Sequence, residues 1–397
     1  MKDRKFLEGI IVGMIFVIAI HMLIQFSIPA MLRITTTGRG FDRAATEKMN
    51  MIYSIIDTHF VDHFSIEDLE RGMFMGLMYG LGDPYAAYLS AEEHEQFQER
   101  TSGVFVGIGA VVIGTEEGRV MIVSPFDGSP AAEAGIMAQD VVMAVDGVDT
   151  LNIDVYSVVA MLRGTPNTDV TITLFRESED RTFDVIVTRA LITVPTVSSR
   201  MLEEDIGYIR LSGFEQVTYD QFKDALDELQ NKGAQSFIID VRNNPGGLLD
   251  IVADIANLLV PEGIIVYTED RYGNQSFLHS DANYLGLPIV VLVNGNSASA
   301  SEVLAGAIMD HGVGTLVGEQ TFGKATVQRI FGLPDDSAVK FTIARYFTPN
   351  GASIHSYGIT PHYIIEMEPT YTARIASLDI DEDVQLLKAV EVISTLR

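Results

Sequence analysis

The chain has 397 residues, of which 47% are hydrophobic and 20% are charged, so it is long enough to form two or three domains with substantial cores. Its 54 acidic and 27 basic side chains give a net charge of -27, which argues against nucleic acid and against electrostatic docking on anionic lipid. The absence of cysteine excludes disulfides, thiolate metal sites and a cysteine nucleophile, but it assigns no redox compartment.

The N-terminal region predicts a membrane anchor over residues 1–33. Lys2, Arg4 and Lys5 precede an uncharged stretch of 24 residues from Gly9 to Leu32. As a helix this stretch would be about 36 Å long, enough to cross a bilayer. The basic residues place its N-terminal side in the cytoplasm and the rest of the chain outside. A cleaved signal peptide is the alternative, but no small-x-small cleavage site follows the apolar run, so we favour a single-pass, uncleaved anchor.

Residues 34–102 have a helical pattern. Apolar residues recur at three- and four-residue spacing between Met49 and Ile56, and the stretch Gly82–Tyr85 is typical of a turn. Ser90 followed by Glu93 predicts the capped start of another helix. This region is poor in β signals, and we expect it to serve in packing or in a homodimer.

Residues 103–190 change to short alternating strands separated by glycine turns, with one predicted helix at Val155–Leu162. The segment from Val104 to Val112 carries Gly107 and Gly109. The segments Gly128-Ser-Pro-Ala-Ala-Glu-Ala-Gly135 and Asp140-Val-Val-Met-Ala-Val-Asp-Gly147 resemble a PDZ domain, a mainly-β fold.

The PDZ resemblance implies a site for peptide C-termini. It places the carboxylate-binding loop at Val106, Gly107, Ile108 and Gly109, where backbone N–H groups would surround the carboxylate and the adjoining strand edge would pair with the peptide. Gln139 departs from the family, which usually has glycine there, and we expect only a difference in the turn.

Strands and helices alternate over residues 191–369, which predicts an α/β layered domain, and a C-terminal helix is predicted at Glu382–Leu396 within segment 370–397. Three turns of this domain, each following a predicted strand, contain candidate catalytic residues. They are Asp240–Gly247, Asn294–Glu302 and Thr321–Gln328.

Each of the three turns has a catalytic and a structural interpretation. The Pro-Gly-Gly end of the first can present N–H groups to a phosphate or an oxyanion, or it can be a simple turn. Serines of the second can be nucleophiles or helix caps. Lys324 of the third has apolar neighbours that would lower its pKa and let it act as a general base, or it can be a surface lysine.

Taken together, the three turns resemble those of the serine–lysine carboxy-terminal processing proteases, also called tail-specific proteases. The resemblance covers essentially the whole chain and implies a crotonase-like layered core with an inserted PDZ domain. The family nucleophile is the middle serine, 25 residues before the lysine, which selects Ser299 and Lys324. It further implies that Gln328 positions the lysine and that no metal or cofactor is needed.

The resemblance assigns several other roles. The oxyanion hole would be formed by the N–H of Gly246 or Gly247 together with that of Ala300. Arg163 resembles a family arginine that reaches the core when peptide is bound, which implies a gating role; a helix-end cation is the alternative.

Some serine-turn residues and departures from the family pattern are expected to be structural or minor. Ser297, Ser301 and Asp310 are expected to be structural. The departures from the family pattern are Ala325, His355-Ser-Tyr and His362. They leave the dyad intact, and the histidine segments are expected to affect substrate contacts at most.

Other catalytic classes fit less well. No histidine lies in a motif for a Ser-His-Asp triad, and no P-loop occurs. His59 and His63 have the spacing of a zinc protease helix, but Phe60 occupies the position of its glutamate. The best alternative is a non-catalytic, membrane-anchored PDZ scaffold. The intact dyad instead favours a membrane-anchored endopeptidase that acts outside the cytoplasm on proteins with free C-termini.

Overall fold

The computed structural model describes residues 40–203 and 205–396. The predicted anchor over residues 1–33 lies outside these residues, and within them no helix is both long and apolar enough to span a bilayer. The chain divides into two compact units, one ending at Glu70 and the other beginning at Arg71.

The helical pattern near the N-terminus is confirmed. Helix α1 (Arg43–His59) begins at Asp42, whose carboxylate accepts a hydrogen bond from Ala45 N at 2.7 Å. Helix α2 (Ile66–Tyr79) follows, and neither helix contains a buried residue. Their apolar side chains are therefore largely exposed to solvent.

Residues 34–102, although poor in β signals, contain one short strand among the described residues. A short strand, β1 (Ala87–Leu89), precedes α3 (Ala91–Ser102), whose start has the predicted capping box between Ser90 and Glu93. Three residues are too few for a recognisable alternating pattern. This strand exists because a strand near the end of the chain pairs with it.

The next segment forms a six-stranded sheet beside a two-stranded ribbon. Its elements are β2 (Val104–Gly107), β3 (Ala110–Gly114), β4 (Val120–Pro125), α4 (Pro130–Glu133), β5 (Val141–Val145), β6 (Val148–Asp149), α5 (Val155–Leu162), β7 (Asp169–Arg176), β8 (Arg181–Thr188) and β9 (Ala190–Thr193). The strand order is β3-β4-β5-β7-β8, with β6 on β5, while β2 pairs with β9. Strands β2 and β3 are separate because the chain turns at Gly109, which has a φ of +76°.

The remaining segment has the predicted alternation of strands and helices. Its elements are β10 (Val197–Met201), β11 (Ile206–Leu211), α6 (Thr218–Asn231), β12 (Ser236–Asp240), α7 (Leu249–Asn257), β13 (Gly263–Asp270), β14 (Gln275–Ser280), β15 (Ile289–Val293), α8 (Ala300–Asp310), β16 (Gly314–Gly318), β17 (Thr326–Gly332), β18 (Ala338–Phe347), β19 (Tyr363–Ile364), α9 (Pro369–Thr372) and α10 (Val384–Thr395).

Two sheets result from these strands. The order β10-β11-β12-β15-β16-β19 is parallel except for β10, and its inner strands are continuous apolar runs because both faces are covered. Side chains of α6, α7 and α8 pack on one face, and those of α10 pack on the other. The second sheet is antiparallel, with β17 and β1 both on β18, followed by β13 and β14.

A buried ion-pair network fixes the C-terminal segment to the parallel sheet. Arg242, just beyond β12, is fully buried and donates hydrogen bonds to Asp240, Asp383 and Gln385. Burial raises the pKa of Asp240, but the adjacent guanidinium of Arg242 outweighs this effect and holds that pKa below its usual value. The network holds the start of the turn Asp240–Gly247 against the N-terminal end of α10.

Candidate active site

The glycine turn after β12 approaches the serine turn closely. A Cβ atom on Gly246 would lie 2.8 Å from Ser299 Cβ and 2.8 Å from Ala298 O, so only glycine fits between the two turns. A hydrogen bond between the two turns stabilises this close approach: Ala298 N of the serine turn donates to Asn244 O of the glycine turn at 3.1 Å. The two predicted catalytic turns are therefore neighbours in the fold.

The amides of the glycine turn are not equivalent. Gly246 N already donates to Asn244 Oδ1 at 2.9 Å, whereas no hydrogen bond in residues 40–203 and 205–396 uses Gly247 N or Ala300 N. Gly247 is held by a bridge to Phe214, whose carbonyl accepts a hydrogen bond from Leu248 N at 2.7 Å. Gly247 and Ala300 are thus the two amides left open for an oxyanion, while Gly246 provides the close approach.

The three serines of the second turn have different environments. Ser297 and Ser301 are fully buried, and their hydroxyls donate to Val241 O at 2.8 Å and Asn244 O at 2.9 Å. Their predicted structural roles are confirmed. Ser299 is partly exposed and has φ 56° and ψ -113°, a strained conformation at the start of α8 that recurs at functional sites.

Lys324 on the third turn is half-buried. Its Nζ lies 4.6 Å from the centroid of the Tyr85 ring. Burial lowers the pKa of Lys324, and the positive charge of Lys340 lowers it further, whereas Asp83 and Glu302 raise it. The net direction is downward, as a lysine that acts as a base requires.

A carboxylate to which sequence reasoning gave no role joins the serine and lysine turns. Glu302 is fully buried, and Oε2 accepts from Ser299 N at 2.9 Å and from Lys324 N at 2.8 Å. Oε1 accepts from Gly323 N at 2.8 Å and from Thr321 Oγ1 at 2.5 Å. Its position three residues after Ser299 was the only signal, and that spacing equally fits a capping box.

A tyrosine from the antiparallel sheet makes a second link between the same turns. The hydroxyl of Tyr346 on β18 lies 3.0 Å from Ser299 O and also contacts Lys324 O. Nothing in the sequence indicated this residue, because its strand was not predicted. Glu302 and Tyr346 together fix the backbone of Ser299 relative to that of Lys324.

Gln328 lies on β17 near the lysine turn. Its amide nitrogen donates to Thr326 Oγ1 at 2.9 Å and lies 3.3 Å from Thr342 Oγ1. The orienting hydrogen bond to Lys324 remains a prediction. Asp310, expected to be structural, accepts a hydrogen bond from Asn350 N at 2.9 Å.

The predicted peptide site is a groove between the turn preceding β3 and helix α5. Gly107, Ile108 and Gly109 line it, whereas Val106 pairs with Leu191 in the ribbon. Among the described strands, β3 pairs only with β4, so its outer edge is open beside the groove. This geometry suits addition of a peptide strand.

Arg163 is one of the residues that line the groove. It follows α5, forms an ion pair with Glu99 of α3 and lies with Cζ 5.1 Å from the centroid of the Phe105 ring. Its Nε is buried and has no hydrogen-bond partner among the described residues. The predicted gating role stays a prediction.

The departures from the family patterns are accommodated locally. Gln139 has a φ of +71°, the left-handed conformation that explains why glycine is usual there. Ala325 is fully buried, and its carbonyl accepts a hydrogen bond from Tyr346 N at 3.2 Å. His362 Nδ1 accepts a hydrogen bond from Leu316 N at 3.0 Å.

Comparison with known proteins gives consistent matches. The model of peptidase family S41 matches residues 205–365, and a PDZ domain model matches residues 98–187. The carboxyl-terminal-processing protease of Synechocystis sp. is 38% identical over 79% of this chain and 74% of its own length. Carboxy-terminal processing protease CtpA of Bacillus subtilis is 36% identical over 85% and 72%. A solved photosystem II D1 C-terminal processing protease is 28% identical over 86% of this chain and 90% of that one, with a TM-score of 0.48.

Proposed function

Because the chain belongs to the carboxy-terminal processing proteases, serine proteases of peptidase family S41 with a PDZ domain, we propose that Ser299 and Lys324 form its catalytic dyad. The observation that carries this proposal is the buried carboxylate of Glu302, which binds the backbone of both residues at once. If the two turns were only structural, nothing would require one carboxylate to hold a strained, partly exposed serine next to a lysine of lowered pKa.

The mechanism follows from the positions of these groups. Neutral Lys324 takes the proton from Ser299 Oγ, which attacks the scissile carbonyl carbon. The negative charge that develops on the carbonyl oxygen is stabilised by the amides of Gly247 and Ala300. The lysine then gives its proton to the leaving amine, and an acyl-enzyme remains. Water, deprotonated by the same lysine, releases the product, and Gln328 orients the lysine throughout.

The groove of the PDZ domain binds the substrate. A free C-terminus binds at Gly107–Gly109 while the peptide pairs with the open edge of β3, and the chain upstream of it enters the catalytic core. A PDZ scaffold without catalytic activity is set aside, because the relatives that define the family are proteases.

The location of the enzyme is a further part of the proposal. The basic N-terminus and the apolar run to Leu32 support a single-pass anchor in the cell membrane, with the catalytic part outside the cytoplasm. The exposed apolar residues of α1 and α2 support a homodimer, which sedimentation of the detergent-solubilised chain would detect.

Cleavage of an unstructured protein by the full chain tests the dyad. Ser299→Ala should abolish cleavage without unfolding the protein. Ser353→Ala is the matched control, because Ser353 is an exposed serine of the same domain, and it should cleave at the wild-type rate. Unchanged cleavage by Ser299→Ala would show that another nucleophile acts.

A further inference from the structure

The turn Gly82–Tyr85, far from the catalytic motifs in sequence, is fixed firmly to the antiparallel sheet. Asp83 Oδ2 accepts a hydrogen bond from Thr342 N of β18 at 2.8 Å, and Oδ1 accepts from Tyr85 N at 3.0 Å. Immediately afterwards β1 pairs with β18, with Ala87 opposite Lys340. The tyrosine is therefore carried on a turn anchored at both ends.

The anchored turn carries its tyrosine over the proposed base. The ring of Tyr85 is partly buried and faces Lys324 Nζ, with 4.6 Å between the nitrogen and the ring centroid. Lys324 belongs to a turn that Glu302 and Tyr346 hold from the other side. The ammonium end is thus the part of the lysine that this tyrosine covers.

We propose that Tyr85 is a positioning residue that covers the amino group of Lys324 and keeps bulk water away from it. The proposal rests on the Ser299–Lys324 dyad. The hydroxyl of Tyr85 has no part in it, because the ring face is what contacts the lysine.

Two effects of the ring on the lysine oppose each other. An aromatic face attracts the charged ammonium, and this attraction raises the pKa of the lysine. Exclusion of water disfavours the charged form, and burial shifts a lysine pKa by up to roughly 3–5 units when complete. Since burial is the largest influence on Lys324 and its direction is downward, we infer that the covering effect is the greater.

The other charged groups around Lys324 stay in place when Tyr85 is replaced. They are Lys340 on β18, which lowers the pKa of Lys324, and Asp83 and Glu302, which raise it. Burial raises the pKa of Tyr346 well above its usual value, so its hydroxyl remains neutral. A shift in the pH midpoint of activity of a Tyr85 variant therefore measures the loss of the ring that shields Lys324 from water.

The test is the pH dependence of kcat/KM for cleavage of a peptide with no titratable group near the scissile bond. Tyr85→Ala should move the midpoint of the rise in activity upward by about one unit, which lowers the rate roughly tenfold at pH values below both midpoints. The alkaline plateau should stay near that of the wild type. Tyr85→Phe and Tyr85→Leu keep apolar cover and should show no upward shift.

Tyr88→Ala is the matched control on the same segment. Tyr88 packs against Phe74, with 5.1 Å between ring centroids, so its ring does not cover the lysine and its removal should leave the midpoint unchanged. If Tyr85→Ala fails to fold, Tyr85→Thr replaces it with the same expected direction of shift. An unchanged or lowered midpoint, or a loss equal at every pH, would overturn the proposal. Wild-type activity in Lys324→Met would instead show that the dyad itself is wrong.

Discussion

Glu302→Gln is the sharpest test of how the site is assembled. All four groups around this carboxylate donate hydrogen bonds, namely three backbone amides and the hydroxyl of Thr321. Only an ionised carboxylate accepts all four, because it has four lone-pair positions and no proton. Glutamine keeps the shape of the side chain but replaces one oxygen with a donating amide group.

The cost follows from the two donors that would face that amide group. A buried donor left without an acceptor costs about 1–3 kcal/mol, so two of them should lower the free energy of unfolding by roughly 2–6 kcal/mol. The turns of Ser299 and Lys324 would also separate, and a misplacement near 1 Å costs about 10²-fold in rate. Because the charge of Glu302 raises the pKa of Lys324, its removal should additionally move the midpoint of activity to lower pH.

Urea unfolding and the pH profile of kcat/KM measure these effects separately. We expect a less stable protein whose plateau activity falls by about two orders of magnitude and whose midpoint moves downward. Glu319→Gln is the control, because Glu319 uses one oxygen to accept from Met367 N at 2.9 Å, and the amide can retain that bond. Wild-type stability and plateau activity in Glu302→Gln would refute the coupling of the two turns.

Further predictions concern the base, the PDZ domain, the ion-pair network and the topology. Lys324→Arg should abolish cleavage at every pH, because a guanidinium does not deprotonate; a rate rising with pH in this variant would contradict the role of the base. Peptides with a free carboxylate should stimulate cleavage of a separate reporter about tenfold, which needs roughly 1.4 kcal/mol of coupling. Amidated peptides should not stimulate, and Arg163→Ala should bind peptide in a calorimetric titration yet lose the stimulation. Arg242→Leu should lower the free energy of unfolding by about 3–5 kcal/mol in urea, because it leaves Asp383 buried without a counter-charge and Asp240 with only the more distant Arg210, 3.8 Å away. Protease added to intact cells should degrade the PDZ domain, and full protection would place that domain inside.

Local patterns in the sequence predicted much of the fold. Helix α5 has the predicted bounds, and the alternation of strands and helices in the α/β domain was predicted because continuous apolar runs mark strands buried on both faces. The spacing of Ser299 and Lys324, together with the flanking glycines, selected the candidate dyad. Such signals are short motifs and a fixed spacing of 25 residues, so they can be recognised along the chain without knowing how its segments pack.

Only the tertiary structure revealed the groups that hold the dyad together. Strand β1 and Tyr346 on β18 gave no local signal, because their roles depend on pairing between segments distant in sequence. Among the described residues, Gly247 N is free and Gly246 N is not, because the side chain of Asn244 accepts a hydrogen bond from Gly246 N.

Glu302 could be read from sequence as a cap, yet it is fully buried among donors from two turns. Burial and hydrogen-bond partners depend on which segments pack together, and residue type and spacing do not determine that packing.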